Sequence, residues 1–503
     1  MGDESVKLFA PLDINGLTLD NRLVLTAMVT RLSGEDGFVN PDIIERYLRF
    51  ARGEPGMIVV EATAVHGSKS GPLLRLNDDR FIPGHREMVE RIHAVSPSKV
   101  ALQIIHFLKI SRSGWRQTVD MLDEEDIQFI IKAYGQAAAR TRRAGYDAVE
   151  LHMAHAYTLS SFLSKMNKRR DAYGGRALES RLRLMGEVIL EVRRQVGDDY
   201  PVGVRFDAEE CIKGGYGLSE SRYIALRMAQ LGVDYLSLSA GGKFEDAIQK
   251  EGEPLYPYTG YSGDRTMPAA QYQNGTNVYL AEGIKTFINA QGYFTPVVTT
   301  GKIPTPELAE EILQAGQADL IGMARSLLAD PDLPKKARQG RADTVIRCVY
   351  GNVCKTLDEE FRQVRCFLWP KHSLQAPEAP DDRQPPAWPT DGGLSAEPGA
   401  GGQVRLRWEK AEDAQGVYGY EIFRSVNGGP FVHLTSSKAA SFSDDFALAG
   451  NRYAYYIRAY DFAGNRSPAS APVEITLPLP FELPPGKSVA LDGEVEAEQG
   501  YAA

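Results

Sequence analysis

Cysteine is scarce in this chain, four in 503 residues. That is too few for a disulfide framework, so a reducing cytoplasm is the expected compartment. A basic surplus is missing as well. The formal net charge is −9 and the pI is near 5.6, which leaves no excess of cations to neutralise nucleic-acid phosphates or to seek an anionic membrane. No run approaches the roughly 18 apolar residues of a membrane span, and the opening MGDESVKLF lacks a charged-then-apolar leader pattern. No G-x-G-x-x-G follows the first apolar run, which argues against a doubly wound dinucleotide fold.

What is present is a cycle. Hydrophobic content of 43% and charged content of 24% suit a globular protein, and 503 residues exceed what one core usually supports, so two or more domains are expected. Eight short apolar runs, RLVLTAM, GMIVVEAT, KVALQIIH, YDAVELH, YPVGVRFD, GVDYLSLSAGG, TPVVTTGK and ADLIGMAR, are each followed by room for a helix. The spacing predicts an α/β fold, an eight-stranded parallel (β/α)8 TIM barrel over residues 1–369 whose strands are buried on both faces.

Six prolines between Pro370 and Pro389 deny that segment regular structure, and 370–389 reads as a linker. Beyond it, QVRLRWEKA, GYEIFRSV, FVHLTSS and RYAYYIRAYD alternate and are rich in aromatics. They predict a C-terminal all-β immunoglobulin-like sandwich over 390–479. Residues 480–503 are acidic and carry Pro and Gly, and read as a disordered tail.

In such barrels chemistry sits where the strands end. The residues closing the eight runs are Ala27 and Met28, Ala62, Gln103 and His106, His152, Arg205, Ser239 to Gly242, Lys302 and Arg325, a polar ring around one axis. Gly301-Lys302 and the segment Gly322 to Arg325 close the last two runs, where free backbone N–H groups and a guanidinium suit a phosphate. The stretch ELHMAHAYTLSSFLS places His152, His155 and Tyr157 within six residues of a chain that has eight histidines. A metal site there would need a third ligand, and no H-E-x-x-H pattern supplies one. A clamp on an anionic or carbonyl oxygen, or two polar residues sharing a loop, are the other readings.

FAPLDINGLTLDNRLVLTAM, MIVVEATAV, VALQIIH, AGYDAVELHMAHAYTLSSFLS, NKRRDAYGG, VRFDAEECIKGGY and ADLIGMARSLLADPDLPKK, in order from Leu8 to Trp369, resemble the successive motifs of the Old Yellow Enzyme family of FMN-dependent oxidoreductases. The resemblance implies non-covalent FMN, with NADH or NADPH as reductant. It places Thr26, Ala27, Met28 and Val29 along one side of the flavin, Ala62 and Gln103 at its pyrimidine edge, and Arg205 by the flavin atoms that become negative on reduction. Gly301, Lys302, Ala324 and Arg325 then fall at the phosphate. His152 and His155 correspond to the pair that holds a substrate carbonyl oxygen, and Tyr157 to the acid that protonates the α-carbon. The expected activity is an ene-reductase that passes hydride from NAD(P)H through flavin to the β-carbon of an activated alkene.

Several positions depart from the family pattern. The usual proline before Met28 is Ala27, and the usual glycine before Arg325 is Ala324. Val29 stands where some relatives carry a flavin-tuning cysteine, and Arg31 stands where a substrate-facing tyrosine is common, so Arg31 becomes a candidate for binding a substrate carboxylate or a CoA-type phosphate. The family's multidomain branch, which includes dienoyl-CoA reductases and amine dehydrogenases, carries four cysteines for a [4Fe-4S] cluster after the barrel. Here Cys348, Cys354 and Cys366 remain, and Gly351 occupies the second ligand position. Neither an iron–sulfur cluster nor zinc is expected from so incomplete a set. An Fe–S-assisted dienoyl-CoA or amine-type flavoenzyme is the alternative enzyme, and an inactive barrel serving as a binding protein is the alternative outside catalysis. The β-domain resembles a fibronectin type III module, with Trp408 in the core position and Tyr453 in the corner position. Its expected role is packing between subunits of a homo-oligomer or binding a partner. A small-molecule alkene is the expected substrate, with no nucleic acid and no membrane as partner.

Overall fold

Each of the eight apolar runs overlaps one strand. The computed structural model describes residues 6–68, 71–108, 117–241, 265–399 and 402–479. In it Leu23–Leu25 (β1), Met57–Ala64 (β2), Lys99–Ile105 (β3), Ala148–Met153 (β4), Val202–Glu209 (β5), Tyr235–Ala240 (β6), Val297–Thr299 (β7) and Leu320–Met323 (β8) form a closed barrel. All neighbours are parallel, and β8 pairs with β1 to complete the circle. The runs lack alternation because helices cover the outer face while the inner faces cover one another. Those helices are amphipathic, and some are capped by side chains. In Glu124–Arg143, for example, Asp123 and Asp126 form a capping box, the first turn is acidic, and Arg140, Arg142 and Arg143 lie in the last turn.

The barrel interior changes character along its axis. At the N-terminal ends of the strands Val24, Met57, Ala101, Ala148, Tyr235, Val298 and Leu320 form an apolar plug, completed by Ile14 and Leu19 from the hairpin Leu12–Ile14 and Leu17–Leu19. Tyr235 fills so much of this layer that a Cβ on Gly203 would stand 2.0 Å from its ring carbon Cζ. Side chains repeat every second residue on one face of a strand, so the positions two and four beyond this plug also point inward. Counted from these positions and from Gly203, they include Thr26, Gln103, Glu150, His152, Arg205, Asp207, Ser237, Ser239, Thr300 and Gly322.

The chain divides into two units, Met1–Ala376 and Pro377–Ala503. The segment expected as a linker is thereby split, and side chains explain the split. Arg46, 2% exposed, lies over the Trp369 ring at 4.8 Å and donates to the carbonyls of Val364 and Leu374. Arg49 donates to the Ala376 carbonyl at 3.1 Å. These two cations from helix Pro41–Ala51 tie residues 364–376 to the first unit. On the other side of the division, Ala387 exchanges backbone hydrogen bonds with Glu412, and Trp388 donates to the Pro468 carbonyl at 2.9 Å.

Among its described residues the second unit has seven strands: Ser395–Pro398 (β9), Val404–Arg407 (β10), Val417–Val426 (β11), Val432–Ser437 (β12), Ser441–Asp444 (β13), Arg452–Asp461 (β14) and Val473–Thr476 (β15). They make antiparallel sheets of order β9-β10-β13 and β12-β11-β14-β15. Trp408 packs edge-on against Tyr420 at 5.4 Å, and the Tyr453 hydroxyl exchanges hydrogen bonds with the backbone of Leu448. This is the back-bonded tyrosine that closes a corner in such sandwiches. Residues 480–503, read from sequence as a tail, lie outside the described residues. No helix among the described residues is long and apolar enough to cross a membrane.

Candidate active site

The inward polar positions open into a cleft at the C-terminal mouth of the barrel. Its empty space, open to solvent, is about 1280 Å³. Fourteen residues anticipated from sequence line this one cleft: Thr26, Ala27, Met28, Val29, Ala62, Gln103, His152, His155, Tyr157, Arg205, Gly301, Lys302, Ala324 and Arg325. Ala62 reaches it because β2 is irregular between Val60 and Thr63, which re-aims the strand end. Glu61, held behind it, accepts hydrogen bonds from the Thr30 amide and hydroxyl and so anchors the loop that carries Thr26 to Val29. Burial raises the Glu61 carboxyl to about 7 against the pull of those bonds and of Arg46.

Gln103, Glu150 and Arg205 form the charged floor. Gln103 donates from its amide nitrogen to Glu150 at 2.7 Å, which leaves its amide oxygen as the acceptor offered to the cleft. Burial raises the Glu150 carboxyl, opposed by Arg205, and burial lowers the Arg205 guanidinium, opposed by Glu150 and Asp207. Arg205 donates to Ser237 at 3.2 Å and to Ser239 at 3.4 Å.

His152 is the penultimate residue of β4, and the chain turns sharply soon after the strand ends. His155 and Ala156 both have φ of +62°, a conformation that costs a non-glycine residue about 1–2 kcal/mol. Asp207 holds the turn by accepting the His155 amide at 2.8 Å. The His152 ring lies 5.0 Å from that of His155 and 5.1 Å from that of Tyr157, edge-on to both. Burial and then the Arg205 charge hold His152 down to about 3. Burial, His152 and Arg205 hold His155 well below the usual range. Both rings are therefore neutral near pH 7. His152 Nδ1 accepts the Ala154 amide at 3.2 Å, so the neutral ring carries its proton on Nε2.

The opposite end of the cleft is cationic. Gly301 has φ of +117°, and a Cβ there would meet the Asn277 side chain at 2.6 Å. Lys302 donates to the carbonyls of Ala270 and Tyr272. Arg325 donates to the Pro268 carbonyl at 2.7 Å and the Asn352 side-chain oxygen at 2.6 Å. The Tyr350 ring lies between them, 5.4 Å from the Lys302 ammonium and 4.7 Å from the Arg325 guanidinium. Burial, then Arg325, lowers Lys302 to about 8. Neither cation has a carboxylate partner among the described residues.

Arg31 and the late cysteines were also singled out from the sequence. Arg31 is not among the residues lining the cleft. It pairs with Asp358 at 2.7 Å, donates to the Pro72 carbonyl and lies 4.6 Å from the Phe361 ring centroid. Of the three late cysteines only Cys354 lines the cleft. None of the three is in a disulfide among the described residues. Lining residues that the sequence reading missed include Thr300, Gly322, Met267, Ser326 and Tyr350. The two-residue repeat would have found Thr300 and Gly322. Met267 and Tyr350 lie outside any strand and carry no local signal.

Comparison with known proteins agrees with this geometry. The family model described as "NADH:flavin oxidoreductase / NADH oxidase family" matches residues 7–113 and 108–344. An NADH oxidase of Thermoanaerobacter brockii is 34% identical over 367 residues, 69% of this chain and 53% of that protein. An NADPH dehydrogenase of Halalkalibacterium halodurans is 37% identical over 347 residues, 66% of this chain and 94% of that protein. Among solved structures, histamine dehydrogenase from Rhizobium sp. 4-9 aligns with a TM-score of 0.60 at 26% identity, covering 72% of this chain and 52% of that one. The chain spans about half the length of the first of these relatives. With the family model covering most of the barrel and the motif residues gathered in one cleft, the chain belongs to the NADH:flavin oxidoreductase / NADH oxidase family, a family of oxidoreductases that includes Old Yellow Enzyme.

Proposed function

We propose that the chain is an FMN-dependent ene-reductase using NADH or NADPH. The observation that carries this reading is the convergence of a neutral histidine pair and Tyr157 with Arg205 and Gln103 in a cleft whose far end holds two buried cations. Lys302 and Arg325, with only neutral oxygen partners among the described residues, suit the phosphate of FMN. Gly322, where a Cβ would meet Thr300 and Thr26 within 2.8 Å, leaves room for those two threonines beside the cleft. Gln103 and Arg205 offer an acceptor and a cation to the other end. FMN, when bound, supplies the hydride carrier between nicotinamide and alkene.

The protein's own part is polarisation and proton delivery. His152 and His155 donate to the carbonyl oxygen of an α,β-unsaturated substrate, which draws electrons from the β-carbon and stabilises the enolate that develops. Because both rings are neutral, they act as hydrogen-bond donors and do not give up a proton in the step. The Tyr157 hydroxyl delivers the proton to the α-carbon. The enone, enoate or enoyl-thioester class is set by this oxygen clamp. Arg31, the candidate for a substrate carboxylate, pairs with Asp358, which itself lines the cleft.

The test is a pair of anaerobic half-reactions on the FMN-loaded chain. NAD(P)H should bleach the flavin absorbance, and an enone should restore it. Release of FAD on denaturation, or an absorbance that no enone, enoate or enoyl thioester restores, would rule the proposal out.

A further inference from the structure

We propose that Ser239 is a positioning residue that fixes the tautomer of His155, so that Nδ1–H is the hydrogen presented to the cleft. Ser239 is 2% exposed and lies on β6 opposite Asp207 of β5. Its Oγ is 2.7 Å from His155 Nε2 and 3.4 Å from Arg205 Nη2. Arginine has no acceptor, so the contact with Arg205 makes Ser239 the acceptor there. The hydroxyl hydrogen then needs an acceptor of its own, and among the described residues His155 Nε2 is the one within reach. The free oxygen of Asp207, Oδ1, makes no hydrogen bond among the described residues. Were His155 to donate from Nε2 instead, the buried hydroxyl would be left with no acceptor among the described residues, which burial penalises. The hydrogen-bonded order is thus Arg205 to Ser239 to His155.

His155 has a fixed pivot as well, since Asp207 holds its amide at 2.8 Å. Two points, one on the backbone and one on the ring, then determine where Nδ1 lies. The two histidines consequently present different nitrogens, Nε2–H from His152 and Nδ1–H from His155. Ser239 also links the Arg205 cation to the His155 ring.

The role of that donor rests on the ene-reductase reading, but the tautomer itself can be read without turnover. The FMN-loaded full chain labelled with 15N-histidine, with His155 assigned through His155→Ala, should show His155 protonated at Nδ1. Ser239→Ala should shift the ring to Nε2–H or to a mixture, and weaken binding of a simple phenolate by roughly 5- to 10-fold, the share of one hydrogen bond. Ser239→Thr should restore both. His155 protonated at Nε2 in the parent protein, or a Ser239→Ala protein with tautomer and phenolate affinity unchanged, overturns the proposal. If Ser239→Ala does not load flavin, the spectrum of the parent protein decides. A parent protein that reduces no alkene yet shows Nδ1–H on His155 would sink the ene-reductase reading and leave Ser239 in its role.

Discussion

Tyr157 and His155 line the same cleft, and their loss should be felt in different steps. Tyr157→Phe should leave flavin reduction by nicotinamide nearly intact and slow reoxidation by alkene by roughly 10²- to 10⁴-fold, because only the second step needs its proton. His155→Ala should slow the alkene step by roughly 10²-fold or more, as loss of an oxyanion donor does, and should also weaken phenolate binding. Stopped-flow measurement separates the steps; equal loss in both for Tyr157→Phe would remove the tyrosine from proton delivery. Lys302 gives a prediction in pH. Its ammonium, lowered to about 8 by burial and Arg325, is charged below that pH and loses its proton above it. Affinity for FMN should therefore fall as pH rises through about 8, by at most about 10-fold per pH unit. Fluorescence titration from pH 7 to 10 checks this, with Lys302→Met weaker at pH 7 and flat above it. A flat profile for the parent protein would show that Lys302 is not a phosphate contact. Residues such as these were legible because the family's motifs are contiguous in sequence. Tyr350 and Asn352, which hold Arg325 from a loop after the barrel, were not, since nothing local marks a contact that folding creates between distant residues.

The strands carry the barrel's registration, and Gly203 on β5 shows how tightly. With Tyr235 filling the layer beside it, Gly203→Ala should destabilise the first unit by about 1–3 kcal/mol or more through overpacking. Denaturant unfolding measures it, and a change under about 0.5 kcal/mol would contradict the packing. Each of the eight barrel strands overlaps one of the apolar runs quoted from the sequence, because burial on both faces leaves the same mark wherever a parallel strand sits. Strand ends and connections were less legible. The hairpin Leu12–Ile14 and Leu17–Leu19 that plugs the barrel floor was read only as part of a family motif. The proline-rich segment was read as one linker, although Arg46 and Arg49 claim its first residues for the barrel unit. Carbonyl acceptors have no sequence signature, so a segment tied down through its backbone looks the same as a free one.

Across the whole molecule, every residue lining the cleft falls between Thr26 and Val364, inside the first unit. A ligand held there stabilises that unit by RT ln(1 + [L]/Kd), about 2.7 kcal/mol at a hundredfold excess over Kd. Calorimetry with increasing FMN should move the barrel's transition upward and leave that of the β-unit in place. One transition that moves as a whole would show instead that the two units unfold together. The β8 to β1 pairing has a consequence in time as well as in space. The ribosome releases Leu25 and must add nearly three hundred further residues before Met323 exists to pair beside it, an interval on the order of 15–60 s at ~5–20 residues per second. Throughout that wait one edge of the nascent sheet has no partner, and the plug hairpin has no complete barrel to stop. The nascent chain should therefore be most open to chaperones and to aggregation from this edge, and synthesis stalled before residue 320 should leave a protein that cannot close.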